Sequence, residues 1–244
     1  MPNYKIVIQY NGKNYAGWQI QENAVTVQQI IKEAIEKITR QKINLIGSGR
    51  TDSGVHALGQ TANFLSEKIV DEYKFLYSLN SILPNDISVI SVNEVNQDFN
   101  ARFDAKSRSY IYLISDFKSP FYFDFTYHIS WLRNNHIERL NYISTFFTGG
   151  KDFTSFTKHE SEVENKICNV SNIHWRKSKF LTIFYIEGNR FLHGMVRAIV
   201  GTILFSIREN KNENYILDLF DCKDRSKAGI SVPSKGLFLY KVKY

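Results

Sequence analysis

The chain has 244 residues, 43% hydrophobic and 14% aromatic, enough to bury a core as one large domain or as two closely packed subdomains. No apolar run approaches the ~18 residues of a membrane span. Cys168 and Cys222 are too few and too isolated for a disulfide framework or a zinc site, so a cytoplasmic protein with two buried thiols is expected. A formal charge of +7 and a pI near 9.2 favour polyanionic partners such as nucleic acid.

Tyr4, Ile6, Ile8 and Tyr10 alternate with Lys5, Val7 and Gln9, which predicts an opening strand with one apolar face. After a loop holding Asn11, Gly12 and Gly17, Thr26 and Gln29 stand at capping-box spacing. Val27, Ile30, Ile31, Ala34, Ile35 and Ile38 follow at helical period. Short strands are predicted at 43–46 and 60–64, a helix at 69–81, a stop at Leu83-Pro84-Asn85-Asp86 and a strand at 87–95. A strand at 110–114 and an aromatic loop at 121–125 come next.

Ile137, Leu140, Ile143, Phe146 and Phe147 predict a helix ending at Gly149-Gly150, with strands after it at 167–175 and 180–186. A long amphipathic helix at 192–207, a short one at 215–220 and a strand at 237–242 complete the chain. Strands and helices mixed in both halves predict an α+β protein with a mixed, mostly antiparallel sheet and helices to one side.

Gly47-Ser48-Gly49-Arg50-Thr51-Asp52-Ser53-Gly54-Val55-His56-Ala57 lies between two predicted strands. Its glycines permit left-handed backbone and close approach, and its polar residues crowd several functions into one short loop. The spacing fits neither a Walker loop nor a dinucleotide loop. Spacing alone leaves two readings open: a tight turn in which Asp52 accepts backbone hydrogen bonds, or a catalytic carboxylate.

The segment resembles the G-x-G-R-T-D-x-G-V-H-A signature of the tRNA pseudouridine synthase A family. Further landmarks follow in order: Tyr10-Asn11-Gly12, Gly17-Trp18-Gln19, Val27-Gln28, Leu83-Pro84, Ala101-Arg102-Phe103, Arg108-Ser109-Tyr110, Asp152-Phe153-Thr154-Ser155-Phe156, His193-Gly194-Met195-Val196-Arg197, Val200-Gly201 and Gly236-Leu237. The resemblance covers essentially the whole chain. Departures are Ser48 and Ser53 for the usual alanines, Ser109 for a frequent basic residue, and Gly194 where a second histidine is sometimes found.

The resemblance implies a cofactor-independent enzyme that isomerises uridine to pseudouridine at positions 38, 39 and 40 of the tRNA anticodon stem-loop. Asp52 is the implied catalytic carboxylate, Arg197 its partner, and Tyr110 the ring that stacks on the flipped uracil. Arg50 is implied to contact the flipped nucleotide and Leu237 to floor the base, while Lys106 and Arg108 are candidate phosphate contacts. His56 reads as a hydrogen-bonded structural residue near a turn. Two related subdomains, 1–105 with the Asp52 loop and 106–244, are expected to flank a basic active-site cleft. A homodimer cradling tRNA, with no membrane and no nucleotide cofactor, is implied as well. The rival is a noncatalytic tRNA-binding module; a metal-dependent hydrolase lacks a recognisable ligand set.

Overall fold

The computed structural model describes residues 1–67, 71–132, 134–158 and 163–244. In chain order the elements begin with β1 (Asn3–Tyr10), α1 (Val27–Thr39), β2 (Ile46–Gly47), β3 (His56–Leu65), α2 (Glu72–Ile82) and β4 (Ile87–Val95). They continue with β5 (Ser107–Ser115), β6 (Tyr127–His128), α3 (Ile137–Thr145), β7 (Gly149–Asp152), β8 (Ile167–Lys177) and β9 (Leu181–Gly188). The chain closes with α4 (Met195–Arg208), α5 (Glu213–Cys222) and β10 (Leu237–Lys243). Ile69, the first residue expected in the second helix, lies outside the described residues. The pairing is mostly antiparallel and the fold is α+β, as the sequence predicts.

The elements gather into two compact units, residues 1–106 with 238–244, and residues 107–237. A contiguous division at residue 105 leaves the end of the chain in the second half, whereas Phe238 to Tyr244 pack in the first unit. In that unit the strand order is β4-β1-β3-β10, with β2 on β3. β1 runs antiparallel to both neighbours, and β10 joins β3 in parallel through Phe238 and Leu239. The period-2 pattern of β1 does what it predicts: Tyr4, Ile6 and Ile8 are fully buried and Tyr10 nearly so. Burying each such side chain contributes about 1.5–3 kcal/mol. α1 turns Val27, Ile31, Ala34 and Ile35 inward, and α2 sets Phe75 against Phe64 of β3.

Thr26 does not make the expected capping box. Its side chain makes no cap hydrogen bond, its buried Oγ1 has no hydrogen-bond partner, and Gln29 bonds to Glu33 instead. The first helical N–H groups are already satisfied by the chain before the helix, Val27 N by the Gly17 carbonyl and Gln28 N by the Trp18 carbonyl.

In the second unit β5, β9, β8 and β7 pair antiparallel in that order, with β6 parallel on the edge of β5. α3 is tied to β8 by the Trp175 indole, which donates to Ser144 Oγ at 2.8 Å. The predicted end of α3 is corrected: the helix stops at Thr145, Phe147 turns into the core, and Gly149 and Gly150 form β7 opposite Val170 and Asn169. Phe147, Phe153 and Phe156 pack around Phe220 of α5. Cys168 is buried as expected, but Cys222, at the last residue of α5, is exposed.

Among the described residues no helix is long and apolar enough to cross a membrane.

Candidate active site

The Asp52 loop leaves β2 and enters β3, and it is held from both sides. At its start, Ser48 N donates to the Thr61 carbonyl, Ser48 Oγ donates to Gln60 Oε1 at 2.7 Å, and Gln60 Nε2 donates to the Gly49 carbonyl at 2.9 Å. At Thr51 the carbonyl accepts from Trp18 N at 3.1 Å, and the hydroxyl meets the Tyr10 hydroxyl at 2.8 Å. Asp52 then opens a turn closed by Val55 N donating to the Asp52 carbonyl, with Gly54 at φ +74°. The turn is anchored by Tyr15, whose carbonyl accepts from Gly54 N and from Ser53 Oγ. Tyr15 is itself fixed by a 2.6 Å hydrogen bond from its hydroxyl to Asp86. Burial, and then that hydrogen bond and the charge of Asp86, push the Tyr15 phenol far above its ordinary pKa.

Two glycines let the loop pack this closely. A Cβ at Gly17, whose φ is +93°, would stand 2.4 Å from the Thr51 carbonyl oxygen, and one at Gly12 would stand 2.0 Å from that of Val55. The result is a half-buried Asp52 on a loop clamped to β1, to β3 and to the segment that begins α1, with Arg50 exposed on the same loop. Lys106 is exposed in the same unit, its N–H bonded to the Lys243 carbonyl beside β10.

The remaining predicted residues lie in the second unit. Tyr110 is buried in β5 opposite Ile186, its ring edge-on to Phe191 at 5.2 Å. Tyr112, two residues along and therefore on the same face of β5, donates to the Pro233 carbonyl at 2.9 Å. Burial pushes the Tyr112 phenol well above its ordinary pKa, and the positive charge of Arg197 opposes that shift. Arg197, in the first turn of α4, donates from Nε to the Val232 carbonyl at 2.8 Å, and Val232 N returns a bond to the Arg197 carbonyl.

A Cβ on Gly236 would stand 2.7 Å from the Tyr112 ring, and the next residue, Leu237, is buried. Residues 232–237 are thus strapped to Tyr112 and Arg197, which brings Arg197, Leu237 and the Tyr110 face of β5 into one neighbourhood. Arg108, half-buried, donates from Nη1 to the Asn189 carbonyl at 2.9 Å.

Sequence reasoning missed the parts that hold these groups. Tyr10, Trp18, Gln60 and Tyr112 read as strand residues or as unassigned landmarks, and Tyr15 as part of a loop, because a brace is defined by a partner dozens of residues away. The glycines at 12 and 17 were the one visible signal.

Together these features define an α+β protein that presents a carboxylate on a rigid loop in one unit, and a tyrosine face with an arginine in the other. The profile of the tRNA pseudouridine synthase family matches residues 6–104 and 143–244. A protein of Thermoanaerobacter sp. (strain X514) named tRNA pseudouridine synthase A is 41% identical over 246 residues, with all of both chains covered. Proteins of the same name from Caldicellulosiruptor saccharolyticus and Bacteroides thetaiotaomicron are 41% and 39% identical over 247 residues; each match spans all of this chain, and 100% and 91% of those relatives. The chain belongs to the tRNA pseudouridine synthase family, a family of isomerases.

Proposed function

We propose that this enzyme converts uridines 38, 39 and 40 of the tRNA anticodon stem-loop to pseudouridine, with Asp52 as the reacting carboxylate. The observation that carries the reading is the bracing of the Asp52 turn, at Thr51 by Trp18 and Tyr10 and at Gly54 by Tyr15. A carboxylate that must meet one atom of a large, mobile substrate gains most from such fixing, since near-attack geometry lowers the barrier.

The isomerisation breaks the C1′–N1 bond and forms C1′–C5. The proton leaves C5 and a proton arrives at N1, so the reaction balances without an oxidant, reductant or group donor. Asp52 serves as a nucleophile or as the group that moves the proton. Tyr110 supplies the ring against which the detached uracil stacks, and Leu237 the apolar floor beneath it. Arg197 carries the positive charge of the site, and its hold on Val232 fixes the strap leading to Leu237. Arg50 contacts the flipped nucleotide, while Lys106 and Arg108 contact phosphates.

The working form is a cytoplasmic homodimer that cradles tRNA.

The test is site-by-site pseudouridine analysis of unmodified tRNA incubated with purified wild-type or Asp52→Asn protein without added metal or nucleotide. Product at 38–40 with wild type alone is expected. Firm tRNA binding without product from the wild type overturns the reading in favour of a binding module, and full activity in Asp52→Asn overturns the role of the carboxylate.

A further inference from the structure

His56 sits four residues beyond Asp52, at the first position of β3, and is 1% exposed. Its Nδ1 accepts a hydrogen bond from the backbone N–H of Gly12 at 3.0 Å, and its ring stacks on Phe238 of β10 with centroids 4.6 Å apart. An acceptor at Nδ1 requires that nitrogen to be bare, so the ring is neutral with its proton on Nε2. Gly12 is the residue whose absent Cβ admits the Val55 carbonyl, so the chain at 12 presses on residue 55 while binding residue 56. The Asp52–Val55 turn is therefore held at its entrance by the Trp18 and Tyr10 contacts to Thr51, across its middle by the Tyr15 carbonyl, and at its exit by the pairing of β3 together with the His56 acceptor on Gly12.

We infer that His56 is a positioning residue for Asp52: its bare Nδ1 locks the exit of the turn to Gly12 and so fixes where the carboxylate stands. The inference rests on the reading of Asp52 as the reacting group. A histidine that merely filled the core would act through its ring, and any aromatic ring of similar size would replace it. A histidine that positions the turn acts through one lone pair. Without it, the Gly12 N–H loses its partner in a buried place and the turn loses the bond that ties its β3 side to the chain at residue 12. A displacement near 1 Å at a reacting group lowers the rate up to ~100-fold while leaving distant binding contacts in place.

Three substitutions separate the two roles. In His56→Asn the side-chain oxygen reaches the place of Nδ1 and the ring is lost. In His56→Gln the oxygen reaches instead toward Nε2, and in His56→Phe the ring is kept without any acceptor. Single-turnover pseudouridine formation at saturating enzyme would be measured with the tRNA dissociation constant and the melting temperature of each variant, well below the lowest melting temperature. Asp52→Asn is run alongside.

The expected result is a rate at least tenfold below wild type in His56→Phe and His56→Gln, a rate within about threefold in His56→Asn, and tRNA affinity unchanged within about threefold throughout. In wild type, the Nδ1 of His56 should give the 15N resonance of a non-protonated ring nitrogen. If His56→Phe does not fold, the contrast between His56→Asn and His56→Gln decides alone. The inference is overturned by a normal rate in His56→Phe or His56→Gln, by a slow His56→Asn, or by losses confined to tRNA affinity. An active Asp52→Asn would instead overturn the underlying reading of the carboxylate, so the two failures are distinguishable.

Discussion

Gly17 shows how a residue without a functional group can decide where a carboxylate stands. Its φ of +93° is one that side chains resist, and the space a Cβ would take is occupied by the Thr51 carbonyl oxygen at 2.4 Å and the Asp52 carbonyl carbon at 3.1 Å. Both neighbours are backbone, so neither can rotate away. Gly17→Ala should destabilise the protein by about 2 kcal/mol or more, the strain of the φ angle adding to that of the contact. It should also lower turnover more than tRNA affinity, because the displaced atoms carry Asp52. Urea denaturation and single-turnover assays on the same preparation check both parts; a variant of wild-type stability would show that the loop yields more easily than its backbone contacts suggest.

At the scale of the elements, local patterns were legible where burial follows period. β1, the inward face of α1, the strand of residues 87–95 and the long α4 all stand close to their expected positions, because an apolar face of period 2 or 3.6 is enforced by the core it joins. Boundaries set by distant partners were not legible. The Gly149-Gly150 pair reads as a helix cap but lies in a strand because Val170 and Asn169 stand opposite. The candidate site divides the same way: the loop that carries Asp52 announces itself through glycines and crowded polar residues, whereas its braces at Tyr10, Trp18 and Gln60 are ordinary residues until folded.

Thr26 is the sharpest case. A capping residue by spacing, it was displaced from that work by the Gly17 and Trp18 carbonyls, which leaves a buried hydroxyl without a partner on extended backbone at φ −128°. Thr26→Val removes the unsatisfied hydroxyl, keeps the shape and suits the backbone. It should stabilise the protein by about 1 kcal/mol, a rise of about 2–4 °C in Tm for a chain of this size. Calorimetry measures it, and a fall in Tm would mean that the hydroxyl is used.

At the scale of the whole molecule the relevant property is the excess of 31 basic over 24 acidic residues, since tRNA is a polyanion whose condensed counterions are released on binding. Affinity for tRNA should therefore fall steeply with salt, log K against log[salt] declining by about 0.7–0.9 for each phosphate neutralised. The individual charges contribute differently. Arg108 is pre-oriented by its bond to the Asn189 carbonyl, so it presents a fixed donor fork; exposed Lys106 presents a mobile point charge.

Arg108→Ala should weaken binding of all tRNAs alike and reduce the salt slope by about one unit. On the role proposed for Asp52, Asp52→Asn should leave the slope unchanged, because it removes no phosphate contact. Filter binding or fluorescence anisotropy over a range of potassium chloride concentrations separates the two classes of residue. A slope unaffected by Arg108→Ala would remove that arginine from the RNA contacts and leave it as a strap between β5 and the chain that follows β9.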